Sequence, residues 1–101
     1  MKSTFGAKLW VNKLSIQMDS FTEEFLARTV TGAVSSLKGA DNIKDLDLHL
    51  EEGDVRIIVN GNELPLSHFP MEIITNVLLG LVSSLKGVDK IEVLKISVRI
   101  Q

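Results

Sequence analysis

The chain repeats itself. Residues Lys8 to Glu52 align without a gap on Arg56 to Ile100 at a constant shift of 48 positions, so whatever one half folds into, the other is built to fold into as well. Val11-Asn12 falls on Val59-Asn60, Phe21 on Phe69, Glu24 on Glu72 and Gly32 on Gly80. The string Val34-Ser35-Ser36-Leu37-Lys38-Gly39 recurs as Val82-Ser83-Ser84-Leu85-Lys86-Gly87, and Asp41, Ile43 and Leu46 then fall on Asp89, Ile91 and Leu94. A half of this size buries too little surface to stand alone comfortably. We therefore expect one domain over residues 1–101, made of repeat one (8–53) and repeat two (55–101) around a shared core.

Each repeat reads as two strands, a helix and a third strand. The β-prone runs Asp54 to Val59 and Asn62 to Leu66 flank Asn60-Gly61, the dipeptide that best supplies the positive φ angles of a tight hairpin turn. The first copy keeps Asn12 but has Lys13 in place of glycine, a weaker turn signal. Asp19 or Ser20, with Glu23 beyond, predicts a capping-box helix start. In the second copy Ser67 or His68 is placed to cap, with Pro70 in the first turn. Phe21, Phe25, Leu26, Val30 and Val34, and likewise Phe69, Ile73, Ile74, Val77, Leu78, Leu81 and Val82, recur at helical period. Lys38-Gly39 and Lys86-Gly87 are expected to end the helices through a left-handed glycine. Strict alternation in Leu46 to Glu51 and Leu94 to Ile100 predicts strands with one buried and one wet face.

These units combine into an α+β fold: a tandem ββαβ repeat forming one pseudo-two-fold domain, with both helices on one face of a six-stranded antiparallel sheet. Numbering the strands within each repeat, a right-handed return beside the first strand gives the order 2-1-3-3′-1′-2′. Charge supports apposing the two third strands. Asp47 corresponds to Lys95, His49 to Ser97 and Glu51 to Arg99, so an antiparallel pairing of His49 with Ser97 sets Asp47 against Arg99 and Glu51 against Lys95. Pro65 belongs on an edge, which the second strand occupies. Gly32 and Gly80 are costly at mid-helix, and we expect close helix–helix approach along the flanks that carry them.

Composition narrows the functions. A net charge of −2 and a pI near 5.6 make duplex nucleic acid and anionic membrane unlikely partners. Absent cysteine removes disulfides and thiolate metal sites. The first ten residues hold no run resembling a signal peptide's core, and no segment has the length and apolarity of a membrane span; we expect a cytoplasmic protein. No P-loop, GxGxxG or GxSxG string occurs. His49 with Asp47, Glu51 and Ser97 reads as solvated cross-strand pairs, and the two histidines are not at a metal-ligand spacing. We expect no enzyme, no cofactor and no metal.

Binding is the remaining class. Trp10 and Ile58 occupy matching positions on the wet sheet face, where large apolar groups mark interaction sites; His49 and Arg99 share that face. Met71 replaces Glu23 and Leu79 replaces Thr31 on the second helix, which makes Met71 and Leu79 the expected oligomer interface. The reading is a non-catalytic protein-interaction or self-assembly domain, with a homo-oligomer expected. The alternative is single-stranded nucleic-acid or small-ligand binding on the same sheet face.

Overall fold

The alternating runs become strands and the helical-period runs become helices in the computed structural model, which describes residues 5–37, 40–52, 54–65, 67–85 and 90–100. In chain order the elements are β1 (Phe5–Val11), β2 (Leu14–Ser15), α1 (Ser20–Ser35), β3 (Asp45–Glu51), β4 (Asp54–Val59), β5 (Asn62–Glu63), α2 (His68–Ser83) and β6 (Val93–Ile100). The result is an α+β domain: six antiparallel strands in one sheet, with two helices packed on it.

Both hairpin turns form. Asn12 and Lys13 sit at φ 51° and 72°, Asn60 and Gly61 at 51° and 85°, so positive φ runs through both central residues in each turn. Asparagine tolerates this region well and lysine less so; Lys13 accepts it because β1 and β2 pair on either side, with Trp10 opposite Ser15 and Val11 opposite Leu14.

The strand order is β2-β1-β6-β3-β4-β5, which corrects the expected 2-1-3-3′-1′-2′: the two third strands have changed places. Strand β3 pairs with β4 from Leu46–Val59 to Glu51–Asp54, and β6 pairs with β1 from Phe5–Ile100 to Val11–Leu94. The reason is local. Only Glu52 and Gly53 separate β3 from β4, Glu52 takes φ 52°, and a two-residue link closes a hairpin between neighbours. It cannot turn the chain around an intervening strand, since neighbouring strands already lie ~4.8 Å apart. Once β3 is committed to β4, the place beside β1 falls to β6.

The central β3–β6 register also differs. Leu48 lies opposite Ile96, Asp47 opposite Ser97, His49 opposite Lys95 and Asp45 opposite Arg99, a slip of two from the expected His49–Ser97 pairing. Each residue keeps its face, because a two-residue slip preserves the alternation. The turn asparagines fix each third strand against its other neighbour, β6 beside β1 and β3 beside β4. Asn12 Oδ1 accepts from the Glu92 and Val93 amides at 2.7 and 2.9 Å, and its Nδ2 donates to Lys90 O at 2.7 Å. Asn60 repeats the pattern, accepting from Lys44 and Asp45 at 2.8 and 3.0 Å and donating to Asn42 O at 2.9 Å. Each turn in one repeat thus holds the start of the other repeat's third strand. Apart from Phe5–Ile100, whose counterpart positions fall in the link between β3 and β4, the pairings of one half recur in the other on adding or subtracting 48: Lys8–Ser97 becomes Arg56–His49, and Trp10–Ser15 becomes Ile58–Glu63.

The core lies between the sheet and the helices. Leu9, Leu46, Leu48, Ile57, Leu94, Ile96 and Val98 meet Leu26, Val30, Val34, Ile74, Leu78 and Val82, all nearly inaccessible. The helix contributions follow i, i+4, i+8 spacing in both copies, the stripe expected of a helix lying on a sheet. Helix α1 is capped by Asp19, whose Oδ1 accepts from Thr22 N at 2.7 Å, and that backbone amide holds its carboxyl below the usual aspartate range. The capping box does not close: Glu23 reaches β1 instead, its Oε2 accepting from Ala7 N at 2.9 Å. Ser67 is the α2 N-cap without a side-chain hydrogen bond, and Pro70 lies in the first turn as expected. The helices end at Ser35 and Ser83 with C-caps Ser36 and Ser84 in the right-handed region. The Lys-Gly stops at 38–39 and 86–87 lie outside the described residues, as does the side chain at 69. Strand β5 is an edge, with Pro65 just beyond it.

Gly32 and Gly80 do not mark a close helix contact. No atom beyond the chain neighbours and the helix's own backbone lies within 4 Å of a Cβ built at either, and both are exposed. With room for a methyl group and ordinary helical φ, alanine at either site lowers unfolded-state entropy at no steric cost. Gly80→Ala and Gly32→Ala should each raise stability by about 0.5–1 kcal/mol, read as a higher denaturation midpoint with an unchanged slope.

Candidate functional site

Two broad surfaces result from this layering. The outer face of the sheet carries alternate residues of every strand. Trp10 and Ile58 are both there and half-buried, but in different rows: Trp10 is opposite Lys95, and Ile58 is opposite Asp47. The Lys95 ammonium lies 5.0 Å from the centre of the Trp10 ring, within cation–π range. Arg99 binds across the β6–β3 seam, its Nε 3.2 Å from Asp45 Oδ1 and its Nη1 3.8 Å from Asp47 Oδ1. His49 Nε2 stands 3.8 Å from Glu51 Oε1, and Arg56 donates to Glu63 at 3.0 Å, which raises the guanidinium's pKa further. Trp10, Ile58, His49 and Arg99 thus share the outer sheet face, each beside a different neighbour: Lys95, Asp47, Glu51 and Asp45 respectively.

Grooves cut this face near both hairpins. Strand β2 ends at Ser15 and the chain turns away from β1, opening a groove of about 620 Å³ lined by Gly6, Lys8, Trp10, Gln17, Ser97 and Arg99 among others. A second groove of about 250 Å³ is lined by His49, Glu51, Glu52, Asp54 and Arg56. Four of its lining residues, His49, Glu51, Asp54 and Arg56, are the repeat counterparts of Ser97, Arg99, Gly6 and Lys8 in the first.

The second surface is the helix layer. Phe21, Thr22, Phe25 and Leu26 of α1 share a groove of about 170 Å³ with Leu81, Ser84 and Leu85 at the far end of α2. Ala33, Ser36 and Leu37 share another, about 290 Å³, with Pro70, Ile73, Ile74 and Val77. The helices are thus antiparallel, each start beside the other's end. Phe21 is 74 % exposed, Phe25 49 %, Ile73 46 % and Val77 41 %, and the two phenyl rings touch at a centroid distance of 5.9 Å. Phe25 and Ile73 are counterparts in the two repeats.

Met71 and Leu79 both lie half-buried against the core. Leu79 packs against the core rather than standing free for a partner. Its counterpart Thr31 has a buried hydroxyl oxygen with no hydrogen-bond partner, so this niche is apolar and leucine suits it better than threonine. Sequence reasoning assigned Phe21, Phe25, Ile73 and Val77 to the general helical stripe. Nothing in the sequence separates them, because they recur at the same helical period as positions 26, 30 and 34 and 74, 78 and 82, which the structure buries.

Among the described residues no cluster of three or more His, Cys, Asp or Glu is placed to hold a metal ion, and no helix is long and apolar enough to cross a membrane. No protein-family model, curated protein or solved structure matches this chain.

Proposed function

We propose that this protein is a non-catalytic interaction module that binds another protein, or a second copy of itself, through its paired helices. The observation that carries the reading is two outward apolar pairs that the core does not need, Phe21 with Phe25 at one end of the helix layer and Ile73 with Val77 at the other, each bordering an apolar groove. Exposed apolar patches of this kind are characteristic of interaction sites, and aromatic residues are enriched at interface centres. The matching registers of the two halves support a fused pseudo-dimer as its construction, and a cysteine-free chain fits a cytoplasmic setting.

Phe25→Glu combined with Ile73→Glu places a carboxylate at both counterpart positions without touching the buried stripe. The double variant should fold, with an unchanged circular dichroism spectrum, and should lose capture of a protein partner by about tenfold or more, since a buried unpaired charge costs several kcal/mol. Undiminished partner capture would overturn the reading.

Small-ligand binding on the sheet face is the second reading, and the groove of about 620 Å³ beside Trp10, Lys8 and Arg99 supports it. Carboxylates across the rest of that face work against a polyanionic strand.

A further inference from the structure

The outer face of the sheet is divided by charge along the β6–β3 seam. On the β2-β1-β6 side the outward positions carry Lys8, Lys95 and Arg99 and, among the described residues, no carboxylate. On the β3-β4-β5 side they carry Asp45, Asp47, Glu51, Asp54 and Glu63 against Arg56 and His49. The grooves are weighted the same way: Lys8 and Arg99 line one with Glu23, and Glu51, Glu52 and Asp54 line the other with His49 and Arg56. The repeat is responsible, because third-strand counterparts have exchanged sign, Asp47 for Lys95 and Glu51 for Arg99, and the swap of β3 and β6 sets the basic third strand beside β1 and the acidic one beside β4.

We propose that this face pairs with the same face of a second copy, about a two-fold axis lying between the two sheets and parallel to their strands. That operation reverses strand order, so each basic half lies over the partner copy's acidic half. The other in-plane axis, perpendicular to the strands, stacks basic on basic and acidic on acidic. An isologous pairing needs one self-complementary patch, and opposed potentials select the orientation and reject the like-charged one. Trp10, Lys95, His49 and Arg56 form one row across the sheet. The chosen axis therefore carries the Trp10 end of that row over the Arg56 end of its counterpart, an indole facing a guanidinium. The face is large enough. Cα extents of 36 × 32 × 18 Å describe a slab whose broad side exceeds the ~800 Å² that each partner contributes to a standard interface.

This inference concerns the face opposite the helices and stands whether or not the helix layer binds anything. The test is charge exchange. Lys8→Glu with Lys95→Glu reverses the basic half; Glu51→Lys with Asp54→Lys reverses the acidic half. The parent should self-associate in sedimentation equilibrium, less tightly as salt is added. Each reversed variant alone should associate about tenfold or more weakly, and an equimolar mixture of the two should recover the parent's association. Trp10 is the single tryptophan, so its emission should shift to shorter wavelength in the parent and in the mixture, and in neither variant alone. Making the same measurements on a Phe25→Glu, Ile73→Glu background separates this face from the helix layer, which carries no part of the expected signal. A parent that stays monomeric into the millimolar range, or a mixture no tighter than its components, overturns the proposal. Should a reversed pair fail to fold, Lys95→Gln and Asp54→Asn each serve instead: both should flatten the salt dependence, and a parent-like salt dependence in both overturns it.

Discussion

Ile96→Ala is expected to cost about 2–5 kcal/mol of folding stability, a large share of the ~5–15 kcal/mol available to a domain of this kind. Ile96 is completely inaccessible and stands at the middle of a continuous inward row, Leu9–Ile96–Leu48–Ile57, crossing the four central strands. Truncation there removes contacts to both repeats at once, and the surrounding strands, fixed by ladders on each side, have little freedom to collapse into the cavity. Leu48→Ala, its counterpart in the other repeat and its direct partner across the seam, should cost a similar amount. Urea titrations followed by circular dichroism and by Trp10 fluorescence should give coincident transitions for both variants. Separate transitions would mean that the repeats unfold independently and do not share one core.

Asn60→Gly and Asn60→Ala should separate two roles of one side chain. Glycine keeps the positive φ of 51° that the turn demands, so its cost, about 1–2 kcal/mol, reports the three hydrogen bonds to residues 42, 44 and 45. Alanine loses the same bonds and adds roughly 1 kcal/mol for a Cβ in the left-handed region, about 2–3 kcal/mol altogether. Hydrogen exchange at the Lys44 and Asp45 amides should quicken in both variants. Asn12→Gly and Asn12→Ala should repeat the pattern at Glu92 and Val93. If exchange at these amides is unchanged, the asparagines do not hold the third strands in register.

Those asparagines also show where the sequence was legible and where it was not. Val11-Asn12 and Val59-Asn60 stand out as repeated, and turn chemistry explains them only in part; glycine would serve the turn as well. Their further use, holding strands from the opposite repeat at sequence separations of about 80 and 16 residues, depends on the swap of β3 and β6. The swap itself had a local cue in Glu52-Gly53, a third two-residue hairpin link between alternating runs. A repeat boundary drawn through it hides the pairing, because the hairpin belongs to both halves. Glu23 is similar: its spacing from Ser20 predicts a capping box, yet the carboxylate serves the exposed edge of β1 beyond the short β2.

For the candidate surfaces, alternation alone was enough to place Trp10, Ile58, His49 and Arg99 on one outward face, since a strand's period of two leaves no other choice. Which helix residues stay in water could not be read the same way. A helix surrounded by apolar residues buries the stripe that its neighbours accept, and only the antiparallel seating of α1 and α2 on the sheet leaves Phe21, Phe25, Ile73 and Val77 outside.

The sequence by itself determined the repeat, the element types, both asparagine turns and the face on which each strand residue lies, because these depend on period, turn chemistry and short-range sterics. Strand order, the register of β3 against β6, the open surroundings of Gly32 and Gly80, and the division of charge across the sheet were decided only in the tertiary structure. They depend on which of two equivalent third strands occupies each place, and the repeated pattern itself does not distinguish them; the one local cue, the short Glu52-Gly53 link, lies at the junction of the copies.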